Sequence, residues 1–268
     1  MTTNATDSVA VVETTPRPAI RDLIWDLRPQ SWSELCGNRD VIARLMGYCV
    51  TGMPPKQMML LGPPGSGKTT VALITARSMA CSGRSESDPE PCGACDSCRE
   101  FRGSVSSNST VYLDPQTTQH EFTEIMKDVM HGRRLFTGTR RPVPLIADDL
   151  DEFTLDRQQR LKRLMDLHWQ GFMLSCSTNP DKIEKALRSR FHRLVIEPPS
   201  IDEVIEWAER MAARVGIEVA DGAALRSLAM RGACNFRSVL SILQPLKDLG
   251  HRLDVRSVED AARKAGYA

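Results

Sequence analysis

The sequence predicts an α/β protein with a parallel five-stranded sheet, followed by a small all-helical domain. The first observation is that short apolar runs alternate with helical stretches from about residue 20, the pattern of a parallel sheet covered by helices. The second is that the pattern becomes helical throughout after Pro198 and Pro199. We therefore expect a disordered tail over residues 1–20, an α/β domain over 21–199 and a helical domain over 200–268.

Five apolar runs have the length of β-strands. They cover residues 58–61, 111–114, 143–147, 172–177 and 192–196. Helices are expected over 69–80 and 121–130, and Leu161, Leu164 and Met165 are spaced as on one face of a further helix. Ser200 and Glu203 form a capping-box pattern, which marks the start of the first helix of the C-terminal domain.

Composition and charge limit the classes of function. The 268 residues carry a formal net charge of +1, so no overall electrostatic attraction to DNA or to anionic lipid is implied. No apolar run approaches the roughly 20 residues that a membrane helix needs. The first residues lack the basic and apolar segments of a secretory signal. We expect a cytoplasmic protein without membrane contacts.

A glycine-rich stretch follows the first predicted strand and precedes a predicted helix. Its pattern, G-x4-G-K-T, predicts a phosphate-binding loop, because glycines let several backbone N–H groups turn towards one anion. The helix that follows adds the positive end of its dipole. The lysine would contact the β- and γ-phosphates of ATP, and the first threonine would bind Mg²⁺. The residues expected to bind the nucleotide here are Gly62, Pro63, Pro64, Gly65, Ser66, Gly67, Lys68, Thr69 and Thr70.

A second motif ends the third predicted strand. Residues 144–147 are apolar and lead into Asp148 and Asp149. Beside a phosphate-binding loop, Asp148 would hold Mg²⁺ together with Thr69, and Asp149 would orient or deprotonate the attacking water. A strand that ends in a solvated acidic turn is the alternative interpretation.

Four of the eight cysteines are clustered within residues 81–98, directly after the predicted helix 69–80. Four thiolates suit a tetrahedral Zn²⁺, and because they leave no open position the site would be structural. An iron–sulfur cluster and unliganded thiols are the alternatives. The expected zinc ligands are Cys81, Cys92, Cys95 and Cys98. The other cysteines are expected to be small buried hydrophobic residues, namely Cys36, Cys49, Cys176 and Cys234.

These motifs, in this order, resemble the bacterial DNA polymerase III clamp loader family of AAA+ ATPases, and within it the tau/gamma ATPase subunit. The resemblance covers most of residues 24–245. It includes the segment 27–32 before the sheet, the turn 36–38, the cysteine pattern 92–100 and the segment 177–180 after the fourth strand. It implies a P-loop AAA+ domain with an inserted zinc module over 81–98 and a small helical lid.

The resemblance also implies roles outside the phosphate-binding loop. Arg28 and Pro29 match a segment beside the nucleotide, and Thr178 matches the sensor 1 position. Arg190 matches the arginine finger and Arg237 the sensor 2 position of the lid. A surface arginine and a lid ion pair are the respective alternatives for these two. The implied catalytic set is Lys68, Asp148, Asp149, Thr178, Arg190 and Arg237.

Three features depart from the family pattern. Asp149 stands where glutamate is usual, and its shorter side chain predicts slow hydrolysis. Phe191 replaces the usual cysteine after the finger arginine. The sequence stops after the predicted lid, where the family continues into a helical collar. We therefore expect an assembly that depends on ATP, on DNA or on a partner protein.

The resemblance implies an ATP-dependent, clamp-loader-like ATPase that acts in DNA replication as an oligomer on DNA. Expected partners are other AAA+ protomers, either copies of this chain or clamp loader subunits, together with DNA and a sliding clamp. Two alternatives stay open. One is a helicase loader or a regulator of transposition or recombination; the other is an ATP-switched assembly subunit that hydrolyses slowly.

Two groups of basic residues are candidate contacts to DNA phosphates. The first follows the acidic motif and consists of Arg157, Arg160, Lys162 and Arg163. The second consists of Arg133, Arg134, Arg140 and Arg141, a pattern that is more typical of a solvated loop.

Overall fold

A five-stranded sheet lies at the centre of the computed structural model, which describes residues 22–101, 110–131, 144–167 and 171–267. Every pairing is parallel, and the strand order is β2-β3-β4-β1-β5. The strands are β1 Gln57–Leu61, β2 Val111–Leu113, β3 Pro144–Ala147, β4 Phe172–Ser177 and β5 His192–Val195. The predicted α/β fold with a parallel five-stranded sheet is confirmed.

Helices connect these strands and then make up the C-terminal part of the chain. The helices within the described residues are α1 Leu23–Asp26, α2 Arg39–Thr51, α3 Lys68–Ala80, α4 Asp96–Glu100, α5 Gln119–Met130, α6 Leu155–Asp166, α7 Lys185–Arg188, α8 Ile201–Val215, α9 Gly222–Arg231, α10 Phe236–Asp248 and α11 Val255–Lys264. Short 3-10 helices cover Trp32–Glu34, Leu150–Glu152 and Pro180–Lys182.

Side-chain hydrogen bonds explain where the element ends differ from the predictions. Helix α5 begins at Gln119, before the predicted residue 121, because Thr118 caps it by accepting from the backbone N–H of Glu121. Strand β2 ends before Asp114, whose backbone N–H donates to Thr117 Oγ1 in a turn at 3.0 Å. Such short-range contacts are hard to read from apolar periodicity alone.

The apolar side chains form separate clusters on the sheet and among the C-terminal helices. One sheet cluster includes residues of α2, α3 and β1, and another includes residues of α5, β3 and α6. The third cluster consists mainly of residues of α8 to α11, together with Leu23 and Leu27 from the N-terminal segment. The N-terminal segment therefore packs against the C-terminal helices as well as the sheet. A domain boundary near Pro199 stays a prediction.

The predicted start of α8 is confirmed. Ser200 and Glu203 form the capping box, with Ser200 Oγ accepting from the Glu203 N–H at 3.3 Å. The apolar residues on one face of this helix belong to the helical cluster, namely Ile201, Val204, Ile205, Ala208, Met211, Ala212 and Val215. Of the four cysteines predicted to be buried, Cys49 and Cys176 are fully so, whereas Cys36 and Cys234 are partly buried.

Arg157 does not have the DNA contact that was considered for it. Its side chain is buried, and its guanidinium donates to the carbonyl oxygens of Asp114, Pro115 and Thr117. It therefore supports the turn after β2. Arg160 pairs with Asp156, and Lys162 with Glu184. The tail 1–20 and the basic residues Arg133, Arg134, Arg140 and Arg141 lie outside the described residues.

None of the helices in the described ranges has both the length and the apolar character required to span a bilayer.

Candidate functional site

The carboxyl ends of β1, β3 and β4 meet at one edge of the sheet, and the candidate site lies there. Parallel strands bring the residues that follow them together, which is where open α/β sheets place ligands. The glycine-rich loop follows β1, the two aspartates follow β3, and Thr178 follows β4. A cavity of about 670 Å³ opens at this edge.

The glycine-rich loop has the backbone that its sequence predicts. Gly65 and Gly67 have positive φ angles of 71° and 98°, which favour glycine. A Cβ on Gly62 would lie 2.2 Å from the carbonyl oxygen of Ile196, so the loop packs directly on the backbone after β5. The cavity is lined by the part of the loop formed by Pro64, Gly65, Ser66, Gly67, Lys68, Thr69 and Thr70.

Lys68 is buried at the base of this loop, with 5% of its surface exposed. Its Nζ donates to the carbonyl oxygens of Gly62 and Pro63, each at 2.9 Å, and to Thr178 Oγ1 at 3.2 Å. Burial lowers its pKa, an effect that nearby carboxylates oppose. The loop, the lysine and the end of β4 are thus joined by one ammonium group.

Asp148 accepts hydrogen bonds from two hydroxyl groups. Thr69 Oγ1 lies 2.9 Å from Asp148 Oδ2, and the Tyr112 hydroxyl donates to the same oxygen at 2.7 Å. Burial and the neighbouring Asp148 raise the pKa of Tyr112, so the phenol stays protonated as a donor. Oxygen donors of this kind suit Mg²⁺, and the paired Thr69 and Asp148 fit it.

Asp149 has an unusual backbone and a solvent-exposed side chain. Its φ angle is +47°, in the left-handed region that aspartate and asparagine tolerate better than bulkier residues. Partial desolvation of its carboxylate, with the adjacent Asp148 charge as a second cause, raises its pKa. A raised pKa is a property of candidate general bases, and Asp149 lines the cavity.

Asp151 is a site residue that the sequence analysis missed. Its buried carboxylate accepts from the backbone N–H groups of Thr178, at 3.1 Å, and Asn179, at 3.0 Å. These bonds hold Thr178 where its hydroxyl meets Lys68. Tyr112 was also missed, since a tyrosine inside a strand reads simply as a partly buried strand residue. No local signal in the sequence indicates either contact.

The lid-side residues reach the loop through Asn235. Its side chain caps α10 and donates from Nδ2 to the carbonyl oxygen of Pro64 at 2.7 Å. Arg237 follows in the first turn of α10 and lines the cavity; within the described part of the chain it forms no ion pair. Arg28 and Pro29 line the cavity from the N-terminal segment.

Arg190 is the one member of the predicted catalytic set that lies away from the cavity. Its guanidinium forms a two-point ion pair with Asp166, at 3.0 and 3.2 Å, and donates to the carbonyl oxygen of Ala186. Phe191, the departure beside it, is a buried core residue. The roles of all these site residues stay predictions.

The four clustered cysteines converge on one point. Their sulfur atoms all lie within 4.8 Å of one another, and the sulfurs of Cys81 and Cys95 are 3.8 Å apart. Four sulfurs placed tetrahedrally at about 2.3 Å from a zinc ion are separated by about 3.8 Å. The geometry therefore fits a single ion better than a cluster of several irons.

Backbone N–H groups favour the thiolate form of Cys92 and Cys95, whereas burial raises the pKa of Cys81 and raises that of Cys98 to about 12. The amides of Ala94 and Cys95 donate to the Cys92 sulfur at 3.4 and 3.3 Å, and they lower its pKa. Burial opposes ionisation of Cys95, but hydrogen bonds from Cys98 and Ser82 outweigh it and lower its pKa to about 6. Thiolates are the form that binds a metal.

A phosphate-binding loop, an acidic strand end and a polar residue after the central strand define a P-loop nucleotide-binding protein. Residues 58–199 match the AAA family, described as the ATPase family associated with various cellular activities. This match covers more than half of the chain, and the chain belongs to that family.

Several curated proteins are similar over most of this chain. Protein STICHEL-like 3 from Arabidopsis thaliana is 26% identical over 235 residues, 87% of this chain and 21% of that protein. Replication factor C subunit 3 from Oryza sativa subsp. japonica is 26% identical over 240 residues, 88% of this chain and 60% of that protein. This chain thus spans less than two thirds of the length of these relatives.

Among solved structures, the Thermotoga maritima RuvB Holliday junction branch migration motor has a similar fold. The TM-score is 0.62 at 20% identity, and the match covers 89% of this chain and 72% of that one. At this identity the likeness concerns the fold alone.

We expect Lys68→Ala to reduce steady-state ATP hydrolysis by at least about 100-fold, as is typical when one preorganised charge donor is lost. Lys56→Ala is the matched control, because Lys56 is an exposed lysine just before β1. Both variants should be compared by thermal melting to confirm folding. Near-normal turnover in a folded Lys68→Ala protein would contradict the assignment of this loop.

Purified protein should contain about one zinc per chain, the stoichiometry of one closed four-thiolate site. Cys95→Ser should lose the metal, because three thiolates hold it much less tightly, and metal analysis by mass spectrometry reads this directly. Cys234→Ser is the control, since Cys234 lies in the helical cluster. Zinc that survives loss of Cys95 would refute the site.

Proposed function

We propose that this chain hydrolyses ATP with Mg²⁺ as a clamp-loader-like AAA+ protomer in DNA replication, similar to the bacterial tau/gamma subunit and with a zinc-bearing module. It works in an oligomer with copies of itself or with clamp loader subunits, on DNA and with a sliding clamp. The names of the replication factor C relatives and the family match support this proposal.

The observation that carries the proposal is the contrast between two arginines. Arg237 lines the same cavity as Lys68 and Asp148, whereas Arg190 is ion-paired to Asp166 away from that cavity. An arginine that stabilises the transferring phosphoryl group must reach it. If Arg190 acts as the arginine finger, it therefore acts on the nucleotide of a neighbouring protomer, and a complete site needs an interface.

Within one protomer, each site residue has a separate role in hydrolysis that follows from its position. Bound Mg²⁺ supplies positive charge next to the phosphates. Lys68 exchanges its carbonyl partners for phosphate oxygens, and Thr69 and Asp148 are the residues that would hold the ion. Thr178, held by Asp151, orients the attacking water or the γ-phosphate. Asp149 accepts the proton of that water.

Asp149→Asn is expected to bind ATP but to hydrolyse it at least about 100-fold more slowly, because an amide cannot accept the proton. Asparagine tolerates the left-handed backbone, so the variant tests chemistry without added strain. Wild-type turnover should be slow, and it should fall on acidification at a higher pH than expected for an aspartate of ordinary pKa, since the pH must exceed the raised pKa of Asp149 for activity.

Asp149→Glu carries the longer side chain and should speed hydrolysis. The strain of a bulkier residue at positive φ would reduce this gain. Single-turnover rates from pH 5 to 9 measure both variants. Hydrolysis that is unchanged or faster in Asp149→Asn would transfer the role of base to another carboxylate, such as Glu152, which is paired with Lys182 at 2.7 Å.

Arg190→Ala should bind ATP normally but fail to hydrolyse it, and the specific activity of the wild type should rise with protein concentration. The test is a mixture of Arg190→Ala and Lys68→Ala chains. One variant keeps the phosphate-binding loop and the other keeps the finger, so mixed interfaces should regain part of the activity. Arg188→Ala is the control, because Arg188 is a nearby arginine paired with Asp181.

Two results would contradict the shared-site proposal. The first is a mixture that stays inactive although light scattering shows that the two variants co-assemble. The second is wild-type activity that is independent of protein concentration across the range in which the protein is a monomer.

A further inference from the structure

The segment between the first two clustered cysteines also makes contacts outside the cysteine cluster. Glu90 Oε2 accepts from the backbone N–H of Trp32 at 3.0 Å, and Glu90 Oε1 accepts from that of Ser33 at 2.7 Å. Trp32 Nε1 donates to the carbonyl oxygen of Pro89 at 3.0 Å. The cysteine segment is thus bonded three times to the N-terminal segment.

Glu90 takes the place of a helix cap. The 3-10 helix Trp32–Glu34 follows Ser31, whose side chain makes no capping hydrogen bond. The first N–H groups of a helix need an acceptor, and a carboxylate there also meets the positive end of the helix. Glu90 provides this carboxylate from a distant point of the chain.

The capped helix lies between two stretches that line the nucleotide cavity. Arg28 and Pro29 precede it, and Leu35, Cys36 and Asn38 follow it. Pro29, Leu35 and Cys36 add apolar surface that suits a nucleotide base. The phosphates take the glycine-rich loop, and the charge of Arg28 interacts with that of Asp148. Displacement of the helix would therefore change the base end of the cavity first.

Gln30 connects the helix with the earlier stretch. Its backbone N–H donates to Glu34 Oε2 at 2.6 Å, and its Nε2 donates to the carbonyl oxygen of Arg28 at 3.0 Å. Arg77, buried on α3, donates to the Gln30 carbonyl oxygen at 3.0 Å and to its Oε1 at 2.8 Å. Hydrogen bonds on either side of the short helix, joined by the helix backbone itself, thus connect Glu90 with Arg28.

We propose that Glu90 is a positioning residue through which the four-cysteine module shapes the base end of the ATP cavity. Loss of the metal loosens the module, frees the Trp32–Glu34 helix and weakens the binding of the nucleoside part of ATP. The proposal rests on the proposed function of the cavity as an ATP site. It gives the cysteine module a role in nucleotide affinity.

The test compares ADP with inorganic pyrophosphate, which lacks a base. Glu90→Gln retains one acceptor oxygen but directs an NH₂ group at a backbone N–H. We expect ADP to bind about tenfold more weakly, the effect of losing one hydrogen bond to a charged group. Pyrophosphate, measured by competition, should bind as to the wild type. Zinc content should be unchanged.

Two further variants complete the design. Glu86→Gln removes the same charge from an exposed position of the same loop and should leave both affinities unchanged. Cys95→Ser should reproduce the selective loss of ADP affinity by removing the metal. Trp32→Phe removes the indole N–H donor to Pro89 together with part of a buried ring, and it should give a smaller loss in the same direction with folding checked by thermal melting. It serves as the test variant where Glu90→Gln does not fold.

The outcomes separate the two proposals. ADP affinity that is unchanged in a folded Glu90→Gln protein, or in Trp32→Phe where Glu90→Gln does not fold, overturns the positioning role. Equal losses for ADP and pyrophosphate also overturn it, because they would indicate general damage. A wild-type protein that binds neither ligand, or binds both without help from Lys68, refutes the ATP site itself.

Discussion

A buried ammonium group is the interaction on which the rest of the site depends. Lys68 is almost inaccessible to water, and a buried charge is costly unless it is fully paired. Its partners are two carbonyls of the glycine-rich loop and the hydroxyl of Thr178. The lysine thus holds the loop in shape and ties it to the end of β4. A phosphate that replaces these partners would therefore change the contacts of both the glycine-rich loop and the end of β4.

The three carboxylates near Lys68, those of Asp148, Asp149 and Asp151, differ in their hydrogen-bond partners. Asp148 accepts from two hydroxyls, Asp151 accepts from two backbone amides, and Asp149 projects from a left-handed backbone position beside them. Each oxygen of the Asp151 carboxylate already accepts a backbone N–H, which holds the loop after β4 in place. The geometry therefore favours Asp148 for metal binding, Asp151 for support and Asp149 for proton transfer.

The individual strands, the phosphate-binding loop and the convergence of the cysteines were predictable, since each depends on residues close together in the chain; the parallel sheet followed from the alternation of strands with helices. The contacts of Asp151, Tyr112 and Glu90 were not predictable in this way. Each joins elements that meet only after the sheet is assembled, and each uses a residue type that is common on protein surfaces. Arg157 shows the reverse error, because a basic helix residue that suggested DNA contact is buried on backbone carbonyls.

The N-terminal segment is the part of the chain where these interactions meet. Leu23 and Leu27 pack among the C-terminal helices, and Trp32 packs in a cluster of the sheet. Arg28 lies between them at the cavity, with its guanidinium 4.6 Å from the ring of Trp25. A segment held at both ends by separate cores cannot move at one end without straining the other. The affinity for a nucleotide that contacts Arg28 would therefore depend on the position of the C-terminal helices. These helices have a second contact at the phosphate end of the cavity, because Asn235 donates to the carbonyl oxygen of Pro64. A ligand shifts the populations of two arrangements only if its contacts differ between them. A nucleotide bound in this cavity contacts both the sheet and the C-terminal helices, and it can therefore favour one arrangement of these two parts over another.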